Sequence, residues 1–409
     1  MNRWWTRLRQ FLHQEMAPVF PLFLVQFFSG AWLLPQSSFF PIYLEEQLHA
    51  SPFWIAAVVA GGQASGLAVA LYGGRLSDSW GSKRVLVLGL AGGALVSLVF
   101  LLRFPPLVVL LWMVGGATIS LHTLGGSSYL TRAAVPHHLG LLSAFYALSL
   151  TLGGAMSSPL AGQLLDSAGF ALYGLTGMIL VALTALWALR FLSPQPSVQN
   201  GSHPGQLPTR LLAHRPVVQL LMGLRFLPTL YYGMASVLIP LLINDLAGNK
   251  TTVALYSTAS LVVASAAQLW VGRAADRYGH RWPTLISYGV LILASLGLAL
   301  FAQELWGVFF FGVVGIAAAW ALAALLFVLV ADGVAQPEHG RTFGLLHATW
   351  SIAMISGSLL GGALLQVAPG FPFLLVALFN LLSILLSLAF FARIERGEGA
   401  DPRLAARTP

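Results

Sequence analysis

The chain has 409 residues, 57% hydrophobic and only 8% charged, with a mean hydropathy of +0.80. Soluble domains carry about 25% charged residues, so a soluble fold is excluded. The absence of cysteine removes disulfides, thiolate metal sites and cysteine nucleophiles. The net charge of +8 does not read as nucleic-acid binding, because the bases cluster in short loops between apolar runs rather than on a soluble patch.

In chain order, the first 16 residues are basic and aromatic, and the apolar run after them is too long for a cleavable signal peptide. A spanning helix needs about 20 apolar residues. Twelve runs qualify: 19–43, 53–73, 85–102, 105–131, 142–165, 169–192, 217–241, 253–271, 284–302, 305–330, 342–366 and 371–392. In lipid a helix satisfies its own backbone groups, so these runs predict an all-α membrane protein. The stretch from Ser193 to Pro216 is polar and rich in Pro and Gly, and reads as a cytoplasmic linker. The expected organisation is two six-helix halves, 1–192 and 217–409, joined by 193–216, the second ending in a short tail.

With the N-terminus inside, every base except Arg103, Lys250 and Arg225 falls in a cytoplasmic segment. The excess of bases in short loops then predicts that both termini face the cytoplasm.

The halves echo one another. The run Gly74-Arg75-Leu76-Ser77-Asp78-Ser79-Trp80-Gly81-Ser82-Lys83-Arg84 is matched by Gly272-Arg273-Ala274-Ala275-Asp276-Arg277-Tyr278-Gly279-His280-Arg281. The offset is 198 at each matched position (272 − 74, 276 − 78, 279 − 81). Pro41 and Pro240 are 199 apart, as are Ser158 and Gly357 in two runs of small residues. Internal repeats of this length are expected of transporters whose site lies between repeats.

These two charged turns resemble the signature of the major facilitator superfamily, roughly Gly-x-x-x-Asp-Arg/Lys-x-Gly-Arg-Arg/Lys. Ser79, Ser82 and His280 depart from it where bases are usual. The resemblance covers nearly the whole chain and implies twelve helices in two pseudo-symmetric halves. It implies gating roles for Gly74, Asp78, Gly81, Lys83 and Arg84, and for Gly272, Asp276, Arg277, Gly279 and Arg281. Asp78 and Asp276 would latch the inner gate against the starts of the spans near Arg341 and Leu141, where free N–H groups favour an anion. The alternative for both is an ordinary solvated turn. The run from Gly154 to Gly162 resembles the family's antiporter motif through Gly154, Pro159 and Gly162, although Ser158 and Gln163 replace glycines. In the family this motif accompanies export; plain helix packing through small residues is the alternative.

Candidate substrate contacts are polar or aromatic residues inside apolar spans. Arg225 lies about eight residues into its span, roughly 12 Å deep at 1.5 Å per residue. A charge there is costly and faces a cavity or a partner, yet no span holds a deep Asp or Glu. Arg225 therefore either binds an anionic substrate group or caps carbonyls. Gln26 is its counterpart in the repeat (225 − 26 = 199). His122 and His347 are the titratable groups nearest the membrane interior, either proton carriers or neutral core residues. Trp32, Tyr146, Tyr231, Tyr232, Trp320 and Trp350 could line an amphiphile pocket or serve as packing. Span 105–131 lacks the mid-helix Arg found in many proton-coupled drug exporters.

No phosphate-cradling Gly-x-x-x-x-Gly-Lys-Ser/Thr, His-Glu-x-x-His or Gly-x-Ser-x-Gly occurs, so neither ATP-driven transport by this chain nor an enzyme is expected. No cofactor and no metal are expected. The partners expected are a small-molecule substrate, the lipid bilayer and protons as a candidate coupling ion, with no nucleic acid and a monomeric chain. The reading is a secondary transporter of a bacterial inner membrane that exports a small amphiphilic solute. Two alternatives stand beside it: uptake or exchange of an organic anion or sugar, and a non-transporting membrane sensor.

Overall fold

The computed structural model describes residues 16, 19–133, 139–194, 215–335 and 338–396; at 72–78, 140 and 340 it describes the backbone alone. Among the described residues the long elements are all helices. They are α1 (Phe20–Leu48), α2 (Pro52–Trp80), α3 (Ser82–Val96, continued by a 3₁₀ turn Ser97–Leu101), α4 (Pro105–Ala133), α5 (Leu139–Phe191), α6 (Pro216–Ala247), α7 (Lys250–Tyr278), α8 (Arg281–Leu300), α9 (Leu305–Gly333), α10 (His339–Leu365) and α11 (Phe371–Glu395). Among the described residues ten helices are long and apolar enough to cross a membrane, and α1 is not one of them.

Element α5 holds two sequence spans. Its 53 residues would run about 80 Å as one rod, against a hydrocarbon core of about 30 Å. The run breaks at Gly169, whose φ of 74° lies where only glycine is unstrained. Inside the helices, hydroxyls bond back to carbonyls four residues earlier, as Ser158 does to Gly154 (2.7 Å) and Ser295 to Leu291 (2.8 Å). Polar side chains are thereby satisfied without leaving the helix.

Two compact units emerge: Met1–Tyr43 with Gly61–Ser202, and Leu44–Ala60 with His203–Pro409. In the first, α3 packs on α4 and α5. Phe100 is a hub, with Tyr43 at 5.3 Å, Tyr173 at 5.0 Å and Phe170 at 6.1 Å between ring centroids. The Tyr43 hydroxyl donates to the Leu102 carbonyl. Helices α1 and α5 meet backbone to backbone. A Cβ on Gly30 would lie 2.0 Å from the Leu150 carbonyl oxygen, and one on Gly153 1.9 Å from that of Phe27.

In the second unit α6 packs on α10, α7 on α9, and α8 on α11. The contact between α6 and α10 is again made by small residues. Gly357 abuts the Leu230 carbonyl, and Ser358 Oγ donates to the Gly233 carbonyl (3.1 Å). The second unit also takes in the tip of the α1–α2 hairpin, where Glu46 pairs with Lys250 (2.8 Å) and accepts from Asn244 Nδ2 (3.0 Å).

Candidate substrate site

The second unit holds an open cavity of about 390 Å³. Helix α6 contributes Arg225, Thr229 and Tyr232, α7 Gln268, α8 Tyr288, α9 Trp320, and α10 His347 with Trp350. Each helix turns one face inward, and residues three or four apart share that face. Arg225 and Thr229 are such a pair, as are His347 and Trp350.

The walls are held by specific contacts. The His347 and Trp350 rings stack at 5.5 Å and 18°. Gln268 Nε2 donates to the Trp320 carbonyl (3.2 Å). The Tyr288 hydroxyl donates to the Leu224 carbonyl (2.8 Å), which fixes the ring beside Arg225. Thr229 Oγ1 donates to the Arg225 carbonyl (2.7 Å). The Arg225 guanidinium itself has neither a hydrogen-bond nor an ion-pair partner among the described residues. A cation half-buried in an aromatic-walled cavity, with five unused donors, is a site for an anionic or strongly polarised group.

Five of the residues singled out from the sequence thus line one cavity: Arg225, Tyr232, Trp320, His347 and Trp350. Tyr231 does not. It is fully buried against α9, where a methyl on Gly315 would overlap its hydroxyl. Its neighbour Tyr232 faces the cavity, because successive helical residues point about 100° apart. Gln268 and Tyr288 were missed, although Gln268 carried the same signal as Gln26, an uncharged polar residue in an apolar span.

The remaining candidates belong to the first unit. Trp32 lies tilted against Tyr173 (4.6 Å between ring centroids) and presses on Gly177; it is a buried core residue. His122 and Trp32 border a cavity of only about 20 Å³, too small for a solute. The Tyr146 hydroxyl abuts Gly126, and Gln26 is buried. In the motif on α5, Gly154 gives way to the Leu34 side chain of α1.

The charged turns are built alike. Gly81 (φ 86°) separates α2 from α3, and Gly279 (φ 76°) separates α7 from α8. Both occupy the left-handed region, so the matched glycines supply the reversal between adjacent helices. Lys83 Nζ donates to the carbonyls of Leu189 (2.8 Å) and Leu192 (2.5 Å), a cation at the C-terminal end of α5. Arg84 is exposed. Arg281 pairs with Glu395 (2.9 Å), Arg277 lies over the Tyr278 ring (5.3 Å), and Asp276 is exposed. Gly272 faces open space; at Gly74 and Asp78 the backbone alone is described, and the Asp78 side chain lies outside the described residues. Pro159 and Gly162 lie within α5.

His280, which stands where the signature has a base, bonds Asp332 at the end of α9 (2.5 Å). That bond, with the charges of Asp332 and Asp276, raises the imidazole above its ordinary range against the opposing effect of burial. A raised folded value means the stabilisation is complete below the unfolded value of about 6.5 and is lost as pH rises through the folded one. His280→Gln is therefore expected to melt below the wild type at pH 6, with the gap narrowing toward pH 9. A gap independent of pH in thermal melts would show that the pair carries no charge.

Against known proteins, the chain aligns with tetracycline resistance protein class B of Escherichia coli at 31% identity over 144 residues, 34% of this chain and 33% of that protein. It aligns with class H of Pasteurella multocida at 26% over 190 residues, 43% and 44% of the two chains. The chain thus spans less than half the length of these relatives. The nucleoside transporter NupG superposes with a TM-score of 0.73 at 17% identity, over 91% of this chain and 98% of the other. A POT family transporter in complex with 5-aminolevulinic acid gives 0.74 at 13%, over 92% and 96%. At such identities the likeness is one of fold: a multi-pass helical membrane protein of the transporter architecture. The family model described as Major Facilitator Superfamily matches residues 22–240 and 221–408, so the chain belongs to the Major Facilitator Superfamily.

Proposed function

We propose that this chain is a secondary transporter of a bacterial inner membrane that exports a small amphiphilic solute carrying an anionic or strongly polarised group. The observation that carries the reading is the unpartnered Arg225 within an aromatic-walled cavity of drug-like volume. Sites for such solutes are apolar and aromatic with a few polar groups that fix orientation. Export is favoured by the part-length similarity to tetracycline resistance proteins and by the small-residue run on α5. In this reading substrate is exposed alternately on the two sides of the membrane, and Asp78 and Asp276 act as latches of the inner gate. His347, which lines the cavity, is the candidate proton carrier of this reading.

A second reading, uptake or exchange of an organic anion, rests on Arg225 alone. Purified protein in liposomes, with tetracycline and simple organic anions as probes under an imposed proton gradient, separates the two. Export predicts saturable tetracycline flux that stops in Trp320→Ala. Flux of the anions alone moves the assignment to exchange, and flux of neither class overturns both.

A further inference from the structure

The ends of the helices opposite the charged turns carry a second polar cluster, away from the cavity. Glu45 and Glu46 lie at the end of α1, beyond the apolar run 19–43, and Asn244 and Asp245 at the end of α6; Lys250 opens α7. All five belong to the second unit. Glu46 accepts from Lys250 Nζ (2.8 Å) and from Asn244 Nδ2 (3.0 Å). Glu45 Oε2 is wholly shielded from solvent and has no partner. Asn244 is only 7% exposed, and its Oδ1 is likewise buried and unpartnered.

The donor and acceptor inventory is lopsided. Three carboxylates and one amide oxygen face one ammonium and one amide NH₂, already engaged with Glu46. An acceptor buried without a partner is costly, and an ionised one more so. One proton on Glu45 relieves both costs. It removes a charge beside Asp245 and Glu46, and it spares the shielded oxygen an uncompensated negative charge. We propose that Glu45, whose buried carboxylate oxygen has no partner at the end of α1, is a proton-binding site of the protein.

Burial, and then the charges of Asp245 and Glu46, push the Glu45 carboxyl up to about 7. For an acid raised on folding, the proton is held more tightly in the folded state. The resulting stabilisation is complete below the unfolded value and is lost as pH rises through about 7. The charged groups that act on Glu45 are Asp245 on α6 and Glu46 on its own helix, and Lys250 on α7 pairs with Glu46 (2.8 Å).

The experiment is pH-difference infrared spectroscopy on purified protein in liposomes. The expected result is a protonated-carboxyl C=O band that disappears with a midpoint near pH 7 and is missing in Glu45→Gln. Asp245→Asn, at an exposed position, removes one neighbouring charge and should move the midpoint down while keeping the band. Thermal melts give an independent reading: Glu45→Gln should match the wild type at pH 5 and exceed it at pH 8. No carboxyl titrating between pH 6 and 8, or a titration that persists in Glu45→Gln, overturns the proposal. If Glu45→Gln does not fold, an Asp245→Asn midpoint equal to the wild type overturns it.

Discussion

Arg225→Ala is expected to abolish solute binding while leaving the fold intact. Losing one member of a buried charge pair costs about 2–5 kcal/mol in binding. Tenfold in affinity is about 1.4 kcal/mol, so the loss should exceed tenfold and approach the limit of detection. Arg225→Lys should recover only part of it, because an ammonium cannot reproduce the planar fork. The competing account, in which Arg225 ties off carbonyls, predicts a large drop in melting temperature. The structure argues against that drop, since the guanidinium has no partner among the described residues whose loss would be felt. Melting temperature and affinity measured on one Arg225→Ala sample separate the accounts. A lowered melting temperature with affinity intact would remove the reason for expecting an anionic group on the substrate.

Gly153→Val should disable the first unit. A Cβ there would sit 1.9 Å from the Phe27 carbonyl oxygen and 3.0 Å from the Ala31 amide nitrogen. Both are backbone atoms, so α1 and α5 must part, and overpacking of this kind costs about 1–3 kcal/mol or more. Gly272→Ala is the control: nothing lies within 4 Å of its added methyl, and Ala favours a helix by about 1 kcal/mol. Folded yield in detergent and melting temperature should fall sharply for Gly153→Val and hold or rise for Gly272→Ala. Equal behaviour of the two would mean that the α1–α5 approach is not a determinant of the fold.

Much of this architecture was legible because lipid leaves a chain few choices. Long apolar runs had to be helices, and the offset of 198 between Gly81 and Gly279 marked two equivalent turns, both of which adopt positive φ. Arg225 stood out because a charge in an apolar run demands a reason. Which aromatics face the cavity was not legible. Helix α9 is apolar on every side, so no polar stripe gave its rotation, and only three-dimensional packing separates Tyr232 from Tyr231. The cluster at Glu45 escaped notice for another reason. Each of its residues looks like an ordinary helix end, and the contact between Glu46 and Asn244 joins positions 198 apart.

That contact also bears on how the molecule could be divided. A cut in the stretch 193–216 would separate the two sequence repeats but not the two compact units, because Leu44–Ala60 would leave with the wrong fragment. The C-terminal fragment alone would lack the Glu46 carboxylate that pairs with Lys250 and accepts from Asn244. Split at the linker, the C-terminal polypeptide would therefore need the N-terminal one to complete its compact unit.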